Sequence, residues 1–264
     1  MKTYKQTFSE LKHAAVIPFF VIGDPDYKTG LKIVKSAIDA GADILELGIP
    51  FSDPIADGPT IQKADIRSLK NGMTIKKALA FITEIKKHKD IPIGLLMYYN
   101  LIFQYGTKKF FRDSHKAGVN SILVADLSID DANEIIGPAK KAGLDTVFMV
   151  TPNTSKERLK LIASKTTGFI YAVSLLGVTG SRKTLSTSVK GLISRIKKET
   201  NLPVCVGFGI STPEHAAKVA KSGADGVIIG SKIVGIIEEN LKKPNICISK
   251  VVGFISKVKT AVKR

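Results

Sequence analysis

The amino-acid sequence predicts an α/β protein, a (β/α)8 TIM barrel built as one domain over residues 1–264 with an extra N-terminal helix. Three observations predict this fold. A chain of 264 residues with 44% hydrophobic residues can bury one large core, and such barrels commonly run to about 250 residues. Apolar runs alternate with helical patterns, and a short glycine phrase separates them repeatedly. This alternation favours parallel strands, and eight strand–helix units of this kind close into a barrel.

The glycine phrase is Ala-Gly, one residue, then Asp or Asn, or a near copy. Each time it stands between a helical pattern and an apolar strand, where glycine typically ends a helix. It occurs at residues 40–43, 117–120, 142–145 and 222–225.

The elements follow in order along the chain. A short amphipathic segment at residues 7–13 predicts the extra helix, and a helical pattern that starts at residue 29 ends at Gly41. Apolar runs predict eight strands, at residues 16–22, 44–49, 91–97, 121–125, 146–150, 168–173, 203–206 and 226–229. Parallel strands have all their carboxyl ends on one face of the barrel, so we expect the active site there.

Glu46 is the unusual residue of the second predicted strand, because it interrupts an otherwise apolar run. A buried carboxylate must either keep its proton, with a raised pKa, or pair with a cation such as a barrel lysine. The turn-rich loop that follows is long and carries Asp53 and Asp57, which could be functional carboxylates or helix caps.

The later strand ends carry other candidate functional segments. Residues 96–100 close the third strand, Asp126 follows the fourth, and a Gly-, Ser- and Thr-rich segment at residues 171–188 is typical of a mobile lid. Glycine turns and Ser211 or Thr212 as a helix cap follow the seventh strand, and Gly230 and Ser231 follow the eighth. Two helix N-termini side by side predict a phosphate site, although ordinary strand-to-helix turns use the same residues.

Composition narrows the class of protein. The net charge of +17 comes largely from lysines spread over predicted helix faces, without interleaved aromatic residues or a nucleic-acid motif, so we expect no nucleic-acid or membrane partner. Such a chain would still attract a phosphorylated substrate. Cys205 and Cys247 lie in apolar runs, typical of buried thiols. Neither a signal-like apolar core nor a long apolar run occurs, so we expect a cytoplasmic protein.

The stretch ELGIPFSDPIADGPTIQ at residues 46–62 resembles the signature of the tryptophan synthase α chain family. The resemblance covers essentially the whole length, through PFFVIGDPD, LLMYYN, GVTG, GFGIS and GSKIV. It implies retro-aldol cleavage of indole-3-glycerol phosphate to indole and glyceraldehyde 3-phosphate, without a metal or organic cofactor. It also implies that Glu46 and Asp57 are the catalytic pair.

The resemblance implies roles for further residues. The indole slot would be formed by Phe19, Leu96, Leu123, Ala125, Met149 and Tyr171. The phosphate would rest on Gly180, Gly209, Gly230 and Ser231, and Thr179 of the lid would help to order Asp57. This chain has Ser174 and Leu175 where some members have Ser-Arg, which weakens any argument for an arginine in lid closure.

The family also works with a β chain that carries pyridoxal phosphate and consumes the indole, so the resemblance implies an α2β2 assembly. The candidate contact residues follow the second and third strands. They are Pro50, Phe51, Ser52 and Asp53, with Asn100, Leu101 and Phe103, although Phe51 could pack inward.

The chemistry assigns different protonation states to the two acids. Glu46, in an apolar strand, should donate a proton and take one back, whereas Asp57, in a more solvated loop, should stay ionised beside the indole N–H. Three alternatives remain: a neighbouring barrel enzyme with another phosphorylated substrate, a non-catalytic subunit, and a basic nucleic-acid binder.

Overall fold

A parallel sheet forms the centre of the structure, a computed structural model that describes residues 1–173, 182–207 and 209–263, with backbone only for 182–188. Within these ranges nine strands form one sheet in the order β5-β4-β3-β2-β1-β9-β8-β7-β6. They are β1 (Ala15–Val21), β2 (Leu45–Gly48), β3 (Ile93–Met97), β4 (Ser121–Val124), β5 (Asp145–Thr146), β6 (Phe148–Val150), β7 (Ile170–Val173), β8 (Val204–Gly207) and β9 (Gly226–Ile229).

The sheet closes through one interrupted strand. β5 and β6 stand at opposite ends of the strand order but are separated in the chain by Val147 alone. β5 pairs with β4, β6 pairs with β7, and the Val147 N–H donates to the Ile122 carbonyl at 3.1 Å. Because β5 and β6 are two halves of one strand, the nine strands make an eight-stranded barrel, and the predicted fold is confirmed.

Helices surround the barrel. The described part of the chain contains α1 (Tyr4–Glu10), α2 (Tyr27–Asp39), α3 (Pro59–Lys70), α4 (Ile75–His88), α5 (Tyr99–Tyr105), α6 (Thr107–Ala117), α7 (Asn133–Ala142), α8 (Lys156–Lys165), α9 (Arg182–Lys197), α10 (Pro213–Lys221), α11 (Ser231–Glu238) and α12 (Pro244–Val262). Across the described ranges, none of these helices is long and apolar enough to cross a membrane.

The extra N-terminal helix exists, but it begins and ends three residues earlier than the predicted segment at residues 7–13. Thr3 and Gln6 form a capping box that fixes the start of the helix at Tyr4. The apolar spacing predicted the helix, whereas the cap, a local hydrogen-bond pattern, set its boundary.

Helix α1 fills the lower end of the barrel, where the strands begin. Tyr4 is buried, its hydroxyl shares a 2.7 Å hydrogen bond with Ser121, and its ring packs edge-on against Phe169 with centroids 5.4 Å apart. The interior is therefore closed by side chains at this end.

Strand alternation directs Glu46 into the barrel. Leu45 and Leu47 belong to the outer core between sheet and helices, so the residue between them points to the interior. The interior cluster is otherwise apolar and includes Ile17, Ile44, Leu123, Val147, Phe169, Tyr171, Cys205 and Ile228. Both cysteines are buried and free, as their apolar settings predicted.

Candidate active site

A cavity of about 150 Å³ opens at the carboxyl ends of the strands. Apolar cavities of about this size are known to hold a benzene ring. The lining residues are Phe19, Glu46, Asp57, Ile61, Leu96, Tyr171, Gly209, Ile210, Ser211, Ile228, Gly230, Ser231 and Lys232. Eight of these are site residues that the sequence predicted: Phe19, Glu46, Asp57, Leu96, Tyr171, Gly209, Gly230 and Ser231.

Glu46 holds its carboxyl group in the apolar wall of this cavity. The residue lies in register with Phe19 of β1 and Gly94 of β3, and only 4% of it is exposed. Burial, together with the nearby negative charge of Asp57, raises the pKa of Glu46 to about 8. No lysine or arginine within the described ranges pairs with it. Glu46 therefore keeps its proton at neutral pH, which is the first of the two states that the sequence allowed.

Asp57 faces the same cavity from the loop after β2. Its Oδ2 accepts a 2.6 Å hydrogen bond from the Tyr98 hydroxyl, and its backbone carbonyl accepts one from Gln62 Nε2 at 2.8 Å. Burial raises the pKa of Asp57, and the hydrogen bond from Tyr98 offsets only part of that rise. Asp57 is half-buried in a loop whose other residues are mostly exposed, so its carboxylate is more solvated than that of Glu46, as the sequence predicted.

Tyr98 organises this loop, and the sequence did not assign it that role. Its hydroxyl accepts the Ala56 N–H at 3.1 Å while it donates to Asp57, and its ring stacks on Phe51 with centroids 5.0 Å apart. Burial and the hydrogen bond to Asp57 raise the pKa of Tyr98, so the phenol remains a proton donor. The sequence signal that could have identified Tyr98 was its position directly after the third predicted strand.

The residues expected to hold indole occupy two depths. Phe19, Leu96 and Tyr171 line the cavity. Leu123 is buried deeper in the interior cluster, and Ala125 and Met149 are half-buried against that cluster rather than on the cavity wall. A Cβ atom on Gly48 would lie 2.8 Å from Cζ of Phe19, so glycine is required there for the ring to reach the cavity.

Two helix starts meet at the other side of the cavity. α10 begins after Thr212, whose side chain accepts the His215 N–H, so Thr212 rather than Ser211 is the cap. Gly209 has a φ of +76°, a conformation that favours glycine. α11 begins at Ser231, and Lys232 beside it adds a cation that the sequence analysis did not single out. Gly180 and Thr179 lie outside the described residues.

Some of the expected partner-contact residues lie beneath the surface: Pro50 is buried and Leu101 is half-buried. Phe51 packs onto Tyr98, whereas Ser52, Asp53 and Asn100 are exposed, with the Ser52 hydroxyl donating to Asp53. Large apolar side chains project from the same two segments: Ile55 is 83% exposed and Phe103 is 62% exposed. Ile55 was not among the predicted contact residues.

A larger cleft of about 520 Å³ lies at the opposite end of the barrel, where the strands begin, and includes His13, Lys197 and Asp225. Its Lys197 and Asp225 already form an ion pair with each other at 3.0 Å. In barrels of this class the chemistry takes place at the carboxyl ends of the strands, so the smaller cavity is the candidate active site. The described residues include no group of three or more His, Cys, Asp or Glu side chains that could hold a metal ion.

Known proteins match both this sequence and this fold. A family model described as tryptophan synthase alpha chain matches residues 6–263. The tryptophan synthase alpha chain of Methanoregula boonei is 44% identical over 264 residues, covering 100% of each chain. That of Methanothermobacter thermautotrophicus is 44% identical and covers 98% of this chain and 96% of its own.

Solved structures agree with these relatives. A chain of the tryptophan synthase α2β2 complex of Pyrococcus furiosus superposes with a TM-score of 0.86 at 40% identity, covering 94% of this chain and 98% of its own. The alpha subunit from Legionella pneumophila gives a TM-score of 0.90 at 32% identity, with 99% and 98% covered. The chain therefore belongs to the tryptophan synthase alpha chain family of lyases, which cleaves indole-3-glycerol phosphate in tryptophan biosynthesis.

Proposed function

We propose that Glu46 and Asp57 perform the family's reaction in this chain, from opposite sides of the indole ring. The observation that carries the proposal is a protonated Glu46 in an apolar wall, sharing one cavity with a second carboxyl group. Two acids in environments that favour different protonation states are the usual arrangement for acid and base work by one enzyme.

The proton transfers balance with these two groups. Glu46 protonates the indole carbon that bears the glycerol chain, and Asp57 accepts a hydrogen bond from the ring N–H as positive charge develops there. The carbon–carbon bond then breaks, its electrons returning to the ring. Glu46, now a carboxylate, removes the hydroxyl proton as the aldehyde forms. Indole and glyceraldehyde 3-phosphate leave, and Glu46 is again protonated.

Phe19, Leu96 and Tyr171 are positioned to hold the flat ring, because they form the apolar part of the cavity wall. We assign Leu123, Ala125 and Met149 to the layer that supports this wall. The phosphate belongs at the two helix starts, on Gly209, Gly230 and Ser231, where N–H groups and helix dipoles favour an anion. Gly180 and Thr179 are expected to complete the phosphate grip and to order Asp57.

Lys232 is expected to add charge attraction for the phosphate. Lys232→Ala should raise KM for indole-3-glycerol phosphate about 3- to 10-fold, with little change in kcat, because an exposed cation contributes uniform binding to the distant phosphate. Steady-state kinetics at low and high salt measure this effect, which should shrink as salt screens it. Lys221→Ala, at the other end of α10, is the matched control. An unchanged KM at low salt would exclude the assignment.

We infer that a tryptophan synthase β chain is the partner, in an α2β2 assembly, because the matching Pyrococcus furiosus structure is such a complex. The exposed Ile55 and Phe103, beside Ser52, Asp53 and Asn100, offer an apolar centre with a polar rim, which is the usual composition of an interface. Phe51 supports this surface from the inside, because its ring stacks on Tyr98.

Ile55→Asp and Asp53→Ala are therefore expected to weaken binding of a cognate β chain, by about tenfold or more for Ile55→Asp, since a buried charge would replace an apolar contact. Titration of immobilised β chain with each variant measures the affinity. Ile246→Asp, at another exposed apolar residue, on α12, controls for general effects of the new charge. Equal affinities for all the variants would place the partner elsewhere.

One experiment tests reaction, substrate and partner together. Purified chain is incubated with indole-3-glycerol phosphate, with and without the β chain, and indole is followed. We expect indole release in both cases and faster release with the β chain. No release in either case would refute the proposed activity. The cytoplasmic location stays a prediction that fractionation of cells would test.

A further inference from the structure

Asp65 is a buried acid that the reaction above does not use. It lies on α3, the helix that begins directly after the Asp57 loop, and only 4% of it is exposed. Its carboxyl group accepts the backbone N–H of Phe51, but Oδ2 is buried without a hydrogen-bond partner within the described ranges. A buried, half-satisfied carboxyl group is costly to the fold, so its presence calls for a role.

The groups around Asp65 favour its neutral form. Burial and the negative charges of Asp57 and Asp24 raise the pKa of Asp65 to about 8, against the hydrogen bond from the Phe51 backbone, which lowers it. Arg67, a cation two residues further along the same helix, is already engaged by Asp24, with contacts of 2.7 and 3.0 Å, and Lys63 of that helix pairs with Glu238 at 2.9 Å. The remaining titratable neighbour, Tyr98, carries no charge at neutral pH because its own pKa is raised.

A chain of contacts joins Asp65 to Asp57. Asp65 holds the Phe51 backbone, the Phe51 ring stacks on Tyr98, and the Tyr98 hydroxyl donates to Asp57 at 2.6 Å. The position of the Asp57 carboxylate therefore depends on the anchor at Phe51. Ionisation of Asp65 would also place a second negative charge close to Asp57, which would favour protonation of Asp57 and weaken its contact with the indole N–H.

We propose that Asp65 is a positioning residue for the cleavage reaction: as a neutral acid it anchors the loop of residues 51–57 and leaves Asp57 as the ionised member of two neighbouring carboxyl groups. The proposal deepens, and rests on, the roles assigned to Glu46 and Asp57. It predicts that turnover requires two protonated acids, Glu46 and Asp65, rather than one.

The test compares full-length wild type with Asp65→Asn, which keeps the acceptor for Phe51 and cannot ionise. As pH rises above 8, log kcat of the wild type should fall with a slope approaching about two, because two protons are lost, whereas the variant should show a slope of about one. At pH 7 the variant should stay within about threefold of wild type. Asp65→Ala, which loses the anchor, should lower kcat about 10- to 100-fold with a smaller change in KM.

Asp145→Asn is the matched control, because burial raises the pKa of Asp145 too, but at the lower end of the barrel. It should keep the wild-type slope. A purely structural role for Asp65 would change the melting temperature of its variants without changing the slope. Identical slopes for wild type and Asp65→Asn would overturn the proposal.

A second measurement does not depend on turnover. In protein labelled with ¹³C at aspartate carboxyl groups, the signal that disappears in Asp65→Asn should titrate near pH 8. A titration near pH 4 would overturn the proposal even if the enzyme is active. Conversely, a normal Glu46→Gln enzyme would refute the proposed catalytic pair while leaving the Asp65 titration as measured, so the two failures can be told apart.

Discussion

Glu46→Gln is expected to lower indole release by about 10² to 10⁴-fold, because glutamine can neither deliver a proton to the indole carbon nor remove one from the glycerol hydroxyl. The substitution preserves the size of the side chain in the apolar wall, so substrate binding should change little. Single-turnover measurement of indole at pH 7 isolates the chemical step. Release within about threefold of wild type would remove Glu46 from the mechanism.

The same variant carries an internal check on the protonation of Glu46. In the unfolded chain this carboxyl group ionises near its ordinary pKa of 4.5, whereas the folded protein holds the proton to about 8. Between these values the native state binds more protons, so the free energy of unfolding falls as pH rises. Each unit of raised pKa corresponds to about 1.4 kcal/mol. Glu46→Gln should therefore be more stable than wild type at pH 8, by about 2–4 kcal/mol, and no more stable at pH 4.

Urea denaturation at pH 4 and pH 8 measures this difference, and Glu10→Gln, an exposed substitution on α1, is the control. A Glu46→Gln variant that loses activity and gains stability at pH 8 would show that Glu46 is needed for the reaction although it destabilises the folded protein. A loss of stability at pH 8 would instead indicate that wild-type Glu46 is ionised and paired.

Asp57→Asn is expected to cause a comparable loss, about 10² to 10³-fold in kcat, because the neutral amide cannot balance the positive charge that develops on the indole nitrogen. Its hydrogen bond from Tyr98 can be kept by the amide oxygen, so the loop should stay folded. Indole release at saturating substrate measures kcat directly.

Two further variants separate charge from position. Tyr98→Phe removes the hydrogen bond that fixes Asp57 but leaves its charge, so we expect a smaller loss, about tenfold. Asp130→Asn, an exposed carboxylate of the loop after β4, should leave kcat unchanged. Near-wild-type turnover by Asp57→Asn would show that the ring nitrogen is stabilised by another group.

Local patterns predicted the barrel and singled out Glu46, whereas Asp57 was singled out by the resemblance to the family. Apolar runs located all eight strands within about two residues, and the repeated glycine phrase marked where four of them begin. Glu46 was recognisable because a charged residue within an apolar strand conflicts with its surroundings. Alternation along β2 then placed it inside the barrel.

The remaining parts of the site depend on contacts between distant segments. Asp65 occurs in an amphipathic helix, where a carboxylate would ordinarily face water, but it is only 4% exposed and accepts a hydrogen bond from the Phe51 backbone, a contact between distant segments. Tyr98 and Phe51 are far apart in sequence, so their stacking could not be predicted. The Tyr98 hydrogen bond that holds Asp57 belongs to the same set of contacts, so the sequence could not specify it, although the more solvated setting of Asp57 was predicted correctly.

The closure of one barrel end by Tyr4 and α1 determines where small molecules can enter and leave. Because α1 closes one end of the barrel, substrate enters and both products leave through the opening at the other end. Ile55 lies, exposed, on the loop beside that opening. A protein bound to this loop would therefore lie beside the opening that substrate and products share.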